Sequence, residues 1–218
     1  MKEKKKETRR EFIKKSAGAA ALLSMPTIIP ASVFGANGKV SVAVIGVNGR
    51  GGSHIQGFMN LPNAEVTCLC DCDLNVLGPK AKAFETRYSK KVKQEQDLRN
   101  VFADKSIDAV SIATPNHWHA LATIWACQAG KDVYVEKPGA HNIYEGRKMV
   151  EAANKYDRIV QHGVQLRSSV AVQEAIKHLR DGLIGRVYMA RGLVFRWRGD
   201  VGKKGPGTIP QGLDYDLW

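Results

Sequence analysis

Residues 40–52 constrain the fold of this chain most, because an apolar, β-branched run is followed directly by a cluster of glycines. The run reads Val-Ser-Val-Ala-Val-Ile over residues 40–45, and glycines follow at positions 46, 49, 51 and 52. A continuous apolar run bounded by glycines is typical of a strand buried on both faces of a parallel sheet. A helical pattern resumes at residues 54–61. The sequence therefore predicts a strand, a tight turn and a helix in succession.

The turn between this strand and this helix is suited to binding phosphate. Backbone N–H groups at a helix N-terminus point outward, and the helix dipole favours an anion there. The dinucleotide-binding fingerprint is G-x-G-x-x-G, and Gly46, Asn48 and Gly51 fill its three positions, with Gly49 and Arg50 between the last two. Asn tolerates left-handed backbone angles better than most residues. Any tight strand-to-helix turn can use glycines, so the fingerprint alone does not establish the site.

A second strand is predicted at residues 63–71, and it ends in a carboxylate. Asp71 follows Gly51 by 20 residues, the spacing at which an acidic residue accepts hydrogen bonds from the adenosine ribose. A carboxylate there also repels a 2′-phosphate, so NAD is favoured over NADP. Two alternatives stay open. Asp71 could be a solvated strand-end acid or a helix cap, and Asp73 could bind the ribose instead.

Predicted strands and helices alternate from residue 39 onward. Further strands are predicted at residues 108–114, 132–136 and 159–165, and a short element of undefined type lies near Val92. Helices are predicted at residues 74–88, 97–103, 116–129, 143–156 and 170–183. Such alternation requires a parallel sheet with helices on both faces, and ligands bind beyond the carboxyl ends of its strands. The predicted fold is a Rossmann-type, doubly wound α/β sheet.

The pattern changes after residue 183. Residues 186–197 alternate between apolar and polar with a period of two, which predicts a half-exposed strand unlike the buried strands before it. One strand cannot form a domain, so a second domain is expected to begin here, and the chain is expected to be a fragment or the product of a prematurely ended reading frame.

Residues 1–36 read as an export signal rather than as part of the fold. A lysine-rich start leads to Thr-Arg-Arg-Glu-Phe-Ile-Lys at residues 8–14, followed by a mildly apolar segment. This resembles a twin-arginine signal, with Ile13 in the usual Leu position, and it predicts export through the twin-arginine machinery to the periplasm or beyond. Pro26 and Pro30 interrupt the apolar segment, whereas a membrane span needs about 20 continuous apolar residues, so no stable span is predicted. The alternative is a basic amphipathic helix.

Charge and cysteine content exclude some classes of function. The net charge is +12, and residues 1–36 contribute +5 of it through eight Lys or Arg and three Glu. No motif that combines aromatic and basic residues, as nucleic-acid modules do, is present, so no nucleic-acid partner is predicted. Cys68, Cys70 and Cys72 alternate along the second strand. This is not a usual spacing for zinc ligands, and cysteines two positions apart on one strand have a poor geometry for a disulfide bond. These cysteines are therefore predicted to be small buried hydrophobic residues.

Residues 135–138, Val-Glu-Lys-Pro, complete a set of motifs that resembles the Gfo/Idh/MocA oxidoreductases, the glucose–fructose oxidoreductase and inositol dehydrogenase family. The other matching features are the glycine turn, Asp71 and residues 113–119, Ala-Thr-Pro-Asn-His-Trp-His. The resemblance extends from residue 39 to the C-terminus. It implies hydride transfer between NAD and a sugar or polyol, and a homo-oligomer for the full-length protein. The implied domains are the signal (1–36), the NAD-binding Rossmann domain (37–165) and the start of the substrate and oligomerisation domain (166–218).

The resemblance also implies a role for individual residues. Lys137 is the implied catalytic residue, which bonds the reacting hydroxyl or carbonyl oxygen, and the Lys-Pro bond after it is often cis in the family. Gln165 and Arg167 are loosely implied as substrate contacts. The implied cofactor-binding residues are Gly46, Asn48, Gly49, Arg50, Gly51, Asp71, Thr114, Asn116, His119 and Glu136.

Elementary chemistry agrees with a lysine at the nicotinamide end. Hydride removal from a carbinol requires removal of its proton as well, and a positive ring together with partial desolvation favours the neutral amine that takes this proton. In the reducing direction, an ammonium polarises the carbonyl. His117 and His119 form an H-x-H pair, but no nearby Cys or carboxylate completes a zinc site, so no metal is predicted.

The export signal and the cofactor site constrain each other. Twin-arginine export carries folded proteins, so NAD is expected to be loaded in the cytoplasm, held tightly and recycled in place. Two other functions stay open at this point. One is a redox-neutral, NAD-dependent glycosidase or lyase, as some relatives of the family are. The other is a truncated nucleotide-binding module without turnover.

Overall fold

The computed structural model describes residues 38–200, 202, 205 and 207–218. The predicted export signal at residues 1–36 lies outside these residues. The described part of the chain contains no helix with the length and apolar character needed to cross a membrane.

Six parallel strands form one sheet in this region. They are β1 (Val40–Ile45), β2 (Ala64–Cys70), β3 (Lys93–Glu95), β4 (Ala109–Ile112), β5 (Asp132–Glu136) and β6 (Val160–Gly163). Their order in the sheet is β3-β2-β1-β4-β5-β6. This is the strand order of the dinucleotide-binding fold, in which the chain reverses direction across the sheet after β3. The predicted Rossmann-type fold is confirmed.

Helices connect the strands and cover both faces of the sheet. They are α1 (Gly51–Met59), α2 (Leu74–Tyr88), α3 (Leu98–Ala103), α4 (Asn116–Gln128) and α5 (Ile143–Lys155), and α6 (Val170–Arg180) follows a short 3₁₀ turn at Gln165–Ser168. The element near Val92 is the short strand β3. Helix α1 begins three residues before the predicted start, because the glycines of the turn already adopt helical angles.

Strand β1 lies at the centre of two hydrophobic clusters, one on each face. Ala43 and Ile45 pack into the cluster on the side of α3, α4 and α5. Val44 packs with Ile55 and Leu77 from α1 and α2 on the other side. All three β1 residues are at most 2% exposed. The continuous apolar run of β1 is thus explained by burial on both faces, as predicted.

The cysteines of β2 are free and belong to this core. Cys68 and Cys70 are each 1% exposed, Cys127 is fully buried, and Cys72 is half-buried. Burial raises the pKa of Cys68 to about 12, so its thiol behaves as a small hydrophobic group. The prediction of small buried hydrophobic residues is confirmed for Cys68 and Cys70 but not for Cys72, which is only half-buried.

The predicted strand at residues 186–197 was wrong. These residues have no regular secondary structure, and every residue from 170 to 200 is exposed. A strand is stabilised by hydrogen bonds to a neighbouring strand, and no described strand lies beside this segment. Helix α6 does form, but it ends three residues before the predicted end and buries none of its residues.

Candidate active site

The glycine turn after β1 is fixed by close backbone packing. Gly46 has φ +84°, and a Cβ atom there would lie 2.7 Å from the backbone of Ala113 and Thr114. A Cβ on Gly51 would lie 2.0 Å from the carbonyl oxygen of Gly46. Only glycine fits either position without moving the backbone. The first and last positions of the predicted fingerprint are therefore explained by the packing of β1 against β4 and α1.

The middle of the same turn is open. Within the part of the chain that the structure describes, a Cβ on Gly49 would meet no atom within 4 Å, and no side chain caps the N-terminus of α1, where Arg50 is the N-cap residue. Asn48 and Gly49 are exposed and line a cavity at this edge of the sheet. An uncapped helix N-terminus behind a glycine turn is the arrangement that holds a phosphate group.

Asp71 lies beside the glycine turn. Its Oδ2 atom accepts a hydrogen bond from the backbone N–H of Val47 at 2.9 Å, and its Oδ1 atom accepts one from the N–H of Asp73 at 3.1 Å. The cap of α2 is Asp73 itself, whose Oδ1 atom accepts from the N–H of Asn75. The structure thus assigns the helix cap to Asp73 and leaves Asp71 as the carboxylate of the turn.

The cavity enclosed by these residues measures about 230 Å³. It lies beyond the carboxyl ends of β1, β2 and β4, and its lining combines apolar and polar residues. Its apolar lining residues include Ile45, Val76, Leu98, Ala113 and Pro115, and its polar ones include Asn48, Asp71, Gln96 and Thr114. Pockets for drug-sized ligands measure about 300–1,000 Å³, so this cavity has room for only part of a dinucleotide.

Thr114 offers a test of whether a ligand fits here. Its Oγ1 atom is buried and has no hydrogen-bond partner among the described residues, which costs free energy unless a bound group or water satisfies it. The Thr114 hydroxyl, the open space above Gly49 and the carboxylate of Asp71 together fit a polar ligand such as NAD. Asn116, the first residue of α4, is exposed beside it.

Glu136, the last residue of β5, is the centre of a hydrogen-bond network. Its Oε1 atom accepts from Nε of Arg50 at 2.7 Å, from Gln165 at 2.6 Å and from Nε2 of His54 at 3.0 Å. Burial raises the pKa of Glu136, but the hydrogen bonds from Arg50, His54 and the N–H of Lys137 outweigh it and lower the pKa to about 2. Arg50 and Glu136, both predicted to touch the cofactor, are thus paired with each other.

His54 is a member of this network that the sequence did not indicate. It is 7% exposed, and its two ring nitrogens contact Ser111 and Glu136. Two signals could have found it. Ser111 interrupts an otherwise apolar strand, and His54 follows Arg50 by one helical turn, so both side chains face the end of β5.

Lys137 follows Glu136 at the carboxyl end of β5. Its side chain is exposed, its backbone N–H donates to Oε2 of Glu136 at 3.0 Å, and its bond to Pro138 is cis. The cis bond agrees with what the family resemblance implies. Glu136 therefore fixes the backbone of Lys137 at the sheet edge that also carries the glycine turn and Thr114.

His119 lies behind the site rather than in it. It is 1% exposed, its Nδ1 atom lies 2.6 Å from the carbonyl oxygen of Pro138, and its Nε2 atom lies 2.9 Å from that of Thr114. The side chain joins the end of β4 to the turn after Lys137. His117 contacts the carbonyl oxygen of Trp218, so both histidines of the H-x-H pair are engaged by backbone carbonyls.

The two loosely implied substrate contacts differ in their positions. Gln165 lies in the 3₁₀ turn after β6, and its side chain donates to Glu136 and to the hydroxyl of Tyr134. Arg167 lies in the same turn and is exposed. The structure joins Gln165 to the Glu136 network and leaves Arg167 outside it.

Comparison with known proteins places this geometry in a family. Residues 40–164 match the model of the GFO_IDH_MocA oxidoreductase family, described as an NAD-binding Rossmann fold. A "Glycosyl hydrolase family 109 protein" of Saccharopolyspora erythraea is 30% identical over 166 residues, which cover 73% of this chain and 36% of that protein. "Levoglucosan dehydrogenase" of Pseudarthrobacter phenanthrenivorans is 36% identical over 105 residues, 48% of this chain and 27% of that protein.

A solved structure agrees. The WlbA dehydrogenase from Bordetella pertussis, in complex with NADH and UDP-GlcNAcA, superposes with a TM-score of 0.61 at 26% identity. The match covers 69% of this chain and 44% of that one. The chain thus spans well under half the length of the relatives it matches.

Proposed function

The chain belongs to the Gfo/Idh/MocA family of NAD-binding oxidoreductases, and on that basis we propose that the whole protein transfers a hydride between NAD and a CH–OH group of a sugar or polyol. The observation that carries the proposal is the position of Lys137, whose backbone is held by Glu136 at the edge that bears the glycine turn. The relative named as a levoglucosan dehydrogenase supports a carbohydrate substrate.

Different residues of this chain bind the cofactor and transfer the proton. The nicotinamide ring of bound NAD supplies the hydride acceptor. The N–H groups at the N-terminus of α1 hold the pyrophosphate, and Asp71 accepts from the adenosine ribose. The Nζ atom of Lys137 takes the hydroxyl proton during oxidation and returns it during reduction. In the reducing direction, its charge polarises the carbonyl oxygen.

Glu136 keeps Lys137 in position. Its carboxylate bonds the N–H of Lys137 on one oxygen and Arg50, His54 and Gln165 on the other. All of its donors come from elements around the same sheet edge, so a shift of the backbone at Lys137 would either break its bond to Glu136 or pull the carboxylate away from its other donors.

Lys137→Met is the test of this assignment. General acid–base groups contribute about 10²–10⁴-fold to rate, so turnover of the whole protein should fall by that factor while the Kd for NAD stays unchanged. The matched control is Lys82→Met, an exposed lysine on α2, which should leave both quantities unchanged. Full turnover in Lys137→Met would remove this lysine from the reaction.

A redox-neutral glycosidase is the second candidate, because one of the relatives is named as a glycosyl hydrolase. Both functions use the same NAD site, but they differ in their products. An oxidoreductase gives a net absorbance change at 340 nm with a sugar or polyol. A redox-neutral glycosidase gives none and instead releases the aglycone of a chromogenic glycoside. The two measurements on one preparation separate the candidates.

The proposal includes export through the twin-arginine machinery and a tightly held, recycled NAD. The motif at residues 8–14 supports export, and NAD would be scarce outside the cytoplasm. Fractionation of cells that express the whole protein tests export, and the expected product is periplasmic or secreted. Denaturation of the purified protein should release about one nicotinamide dinucleotide per chain. Protein that is free of cofactor but active on addition of NAD would refute tight retention.

A further inference from the structure

Residues 211–218, the C-terminal segment, return to the sheet edge that carries the glycine turn. Leu213 forms an antiparallel bridge with Asp73, just after β2. The side chain of Asn75 donates to the carbonyl oxygen of Gln211 at 2.7 Å. Backbone hydrogen bonds on both sides of the bridge complete the attachment. One end of the segment is therefore anchored to the turn between β2 and α2.

The other end of the C-terminal segment is anchored to the first turn of α4. The carbonyl oxygen of Trp218 accepts from Nε2 of His117 at 2.6 Å and from Nε1 of Trp118 at 3.2 Å. The rings of His117 and Trp218 meet edge to face, with centroids 5.8 Å apart. The segment thus crosses from the β2 side of β1 to its β4 side, above the glycine turn.

Three apolar side chains of the C-terminal segment face the cavity. Leu213, Leu217 and Trp218 line it together with Gly49 and Asp71. Trp218 nevertheless remains 51% exposed. An apolar side chain that lines a cavity and keeps half of its surface in water gains free energy when a ligand covers it.

We propose that the C-terminal segment is part of the cofactor site and forms the wall that contacts the adenine half of the bound dinucleotide. Aromatic and aliphatic walls favour a planar base, because every base has an apolar face. The inference rests on NAD binding by the proposed oxidoreductase but not on its turnover. It assigns residues 211–218 a role in cofactor binding within a region otherwise expected to bind substrate.

The test measures binding by calorimetry with two probes, NAD and ADP-ribose, which lacks the nicotinamide. The double variant Leu217→Ser/Trp218→Ala keeps the carbonyl that His117 and Trp118 bond but removes the apolar wall and the ring contact between Trp218 and His117. Both Kd values should rise about tenfold, as expected for the loss of one buried apolar contact surface. The control is Trp197→Ala, since Trp197 is 98% exposed and lies outside the cavity; it should not change either Kd.

A second variant acts through the anchor instead of the wall. Gly212 has φ +91°, and a Cβ there would lie 3.0 Å from Nδ2 of Asn75. Gly212→Ala should therefore displace the segment and also weaken the binding of NAD and ADP-ribose. Circular dichroism of each ligand-free variant confirms its folding.

Unchanged Kd values would overturn the inference. Tighter binding would also overturn it, because the segment would then be a plug that competes with the cofactor. Binding that depends on residues 211–218 without any turnover would refute the proposed reaction alone.

Discussion

The Nε2 atom of His54 lies 3.0 Å from Oε1 of Glu136, and the other ring nitrogen lies 2.8 Å from the hydroxyl of Ser111. A carboxylate only accepts hydrogen bonds, so Nε2 carries a proton, whereas the Ser111 hydroxyl can donate to Nδ1 or accept from it. Burial lowers the pKa of His54 and so favours the neutral ring, in which Nδ1 accepts from Ser111. The helix that follows the glycine turn is thereby bonded to the strand that ends at Lys137.

Glu136→Gln should weaken the fold in a pH-dependent way. The amide replaces an anion that accepts from Arg50 and His54, and hydrogen bonds to charged groups contribute about 1.5–3 kcal/mol, so we expect a loss of about 2 kcal/mol at pH 7. The pKa of Glu136 falls from 4.5 to about 2 on folding. The stability it contributes is therefore present above about pH 4.5 and is lost as the pH falls toward 2.

Urea denaturation of wild type and Glu136→Gln at pH 7, 4 and 2.5 measures this difference. The gap between the two proteins should close as the pH falls. The control is Glu151→Gln, because Glu151 pairs with Lys148 on the surface of α5 and should cost at most about 0.5 kcal/mol. A gap of equal size at pH 7 and 2.5 would show that the carboxylate charge does not stabilise the network.

Gly46→Ala and Gly49→Ala should separate folding from cofactor binding. At Gly46 the new Cβ would clash with the backbone of Ala113 and Thr114, and the positive φ of Gly46 adds strain. The free energy of unfolding should therefore fall by about 3 kcal/mol or more. At Gly49 the Cβ meets nothing, so stability should be unchanged. It would nevertheless fill the space where the pyrophosphate approaches the backbone, and the Kd for NAD should rise about tenfold.

Thermal unfolding and calorimetry with NAD on the two glycine variants test this pair of expectations. The control is Gly57→Ala, which also meets open space but lies near the C-terminal end of α1; it should leave the Kd for NAD unchanged. Gly49→Ala that binds NAD as tightly as wild type would place the pyrophosphate elsewhere.

The sequence predicted the sheet well because its buried strands leave a direct signal. The apolar run of β1 is long enough to be buried on both faces, and helix α2 was predicted at the same residues, 74–88, that the structure shows. Residues 186–197 had an equally clear alternation and formed no strand. Alternation reports which side chains could share a face, but it does not supply the neighbouring strand that the backbone needs.

The candidate site was predicted only in part. Positions in the glycine turn could be read from spacing, because the backbone geometry there demands particular residues. The pairing of Arg50 with Glu136 joins residues 86 positions apart, and the contact of Trp218 with His117 joins residues 101 positions apart. Neither has a local signature, since both depend on which turns the fold brings to the same edge.

His119→Ala should destabilise the protein because the ring that packs between two backbone carbonyls, and donates a hydrogen bond to one of them, is lost. The ring contacts the carbonyls of Thr114 and Pro138, and truncation also leaves a cavity beneath α4. Together these effects should cost about 2–4 kcal/mol, measured by chemical denaturation. His178→Ala is the control, since His178 is exposed on α6 and its loss should change stability by at most about 0.5 kcal/mol. Equal, small effects in both variants would contradict a structural role for His119.

Asp71→Asn and Asp73→Asn should decide which carboxylate recognises the adenosine ribose. Asn keeps an acceptor for one of the two N–H groups that Asp71 binds, those of Val47 and Asp73. Asp71→Asn should therefore fold with a small loss of stability, but it loses the anion that favours NAD and repels a 2′-phosphate. We expect its affinity for NAD to fall about tenfold, relative to that for NADP, in titration calorimetry. Asn is also a good N-cap, so Asp73→Asn should keep both α2 and the preference for NAD. The opposite outcome, with the preference lost only in Asp73→Asn, would transfer the ribose contact to Asp73 and leave Asp71 as a support for the glycine turn.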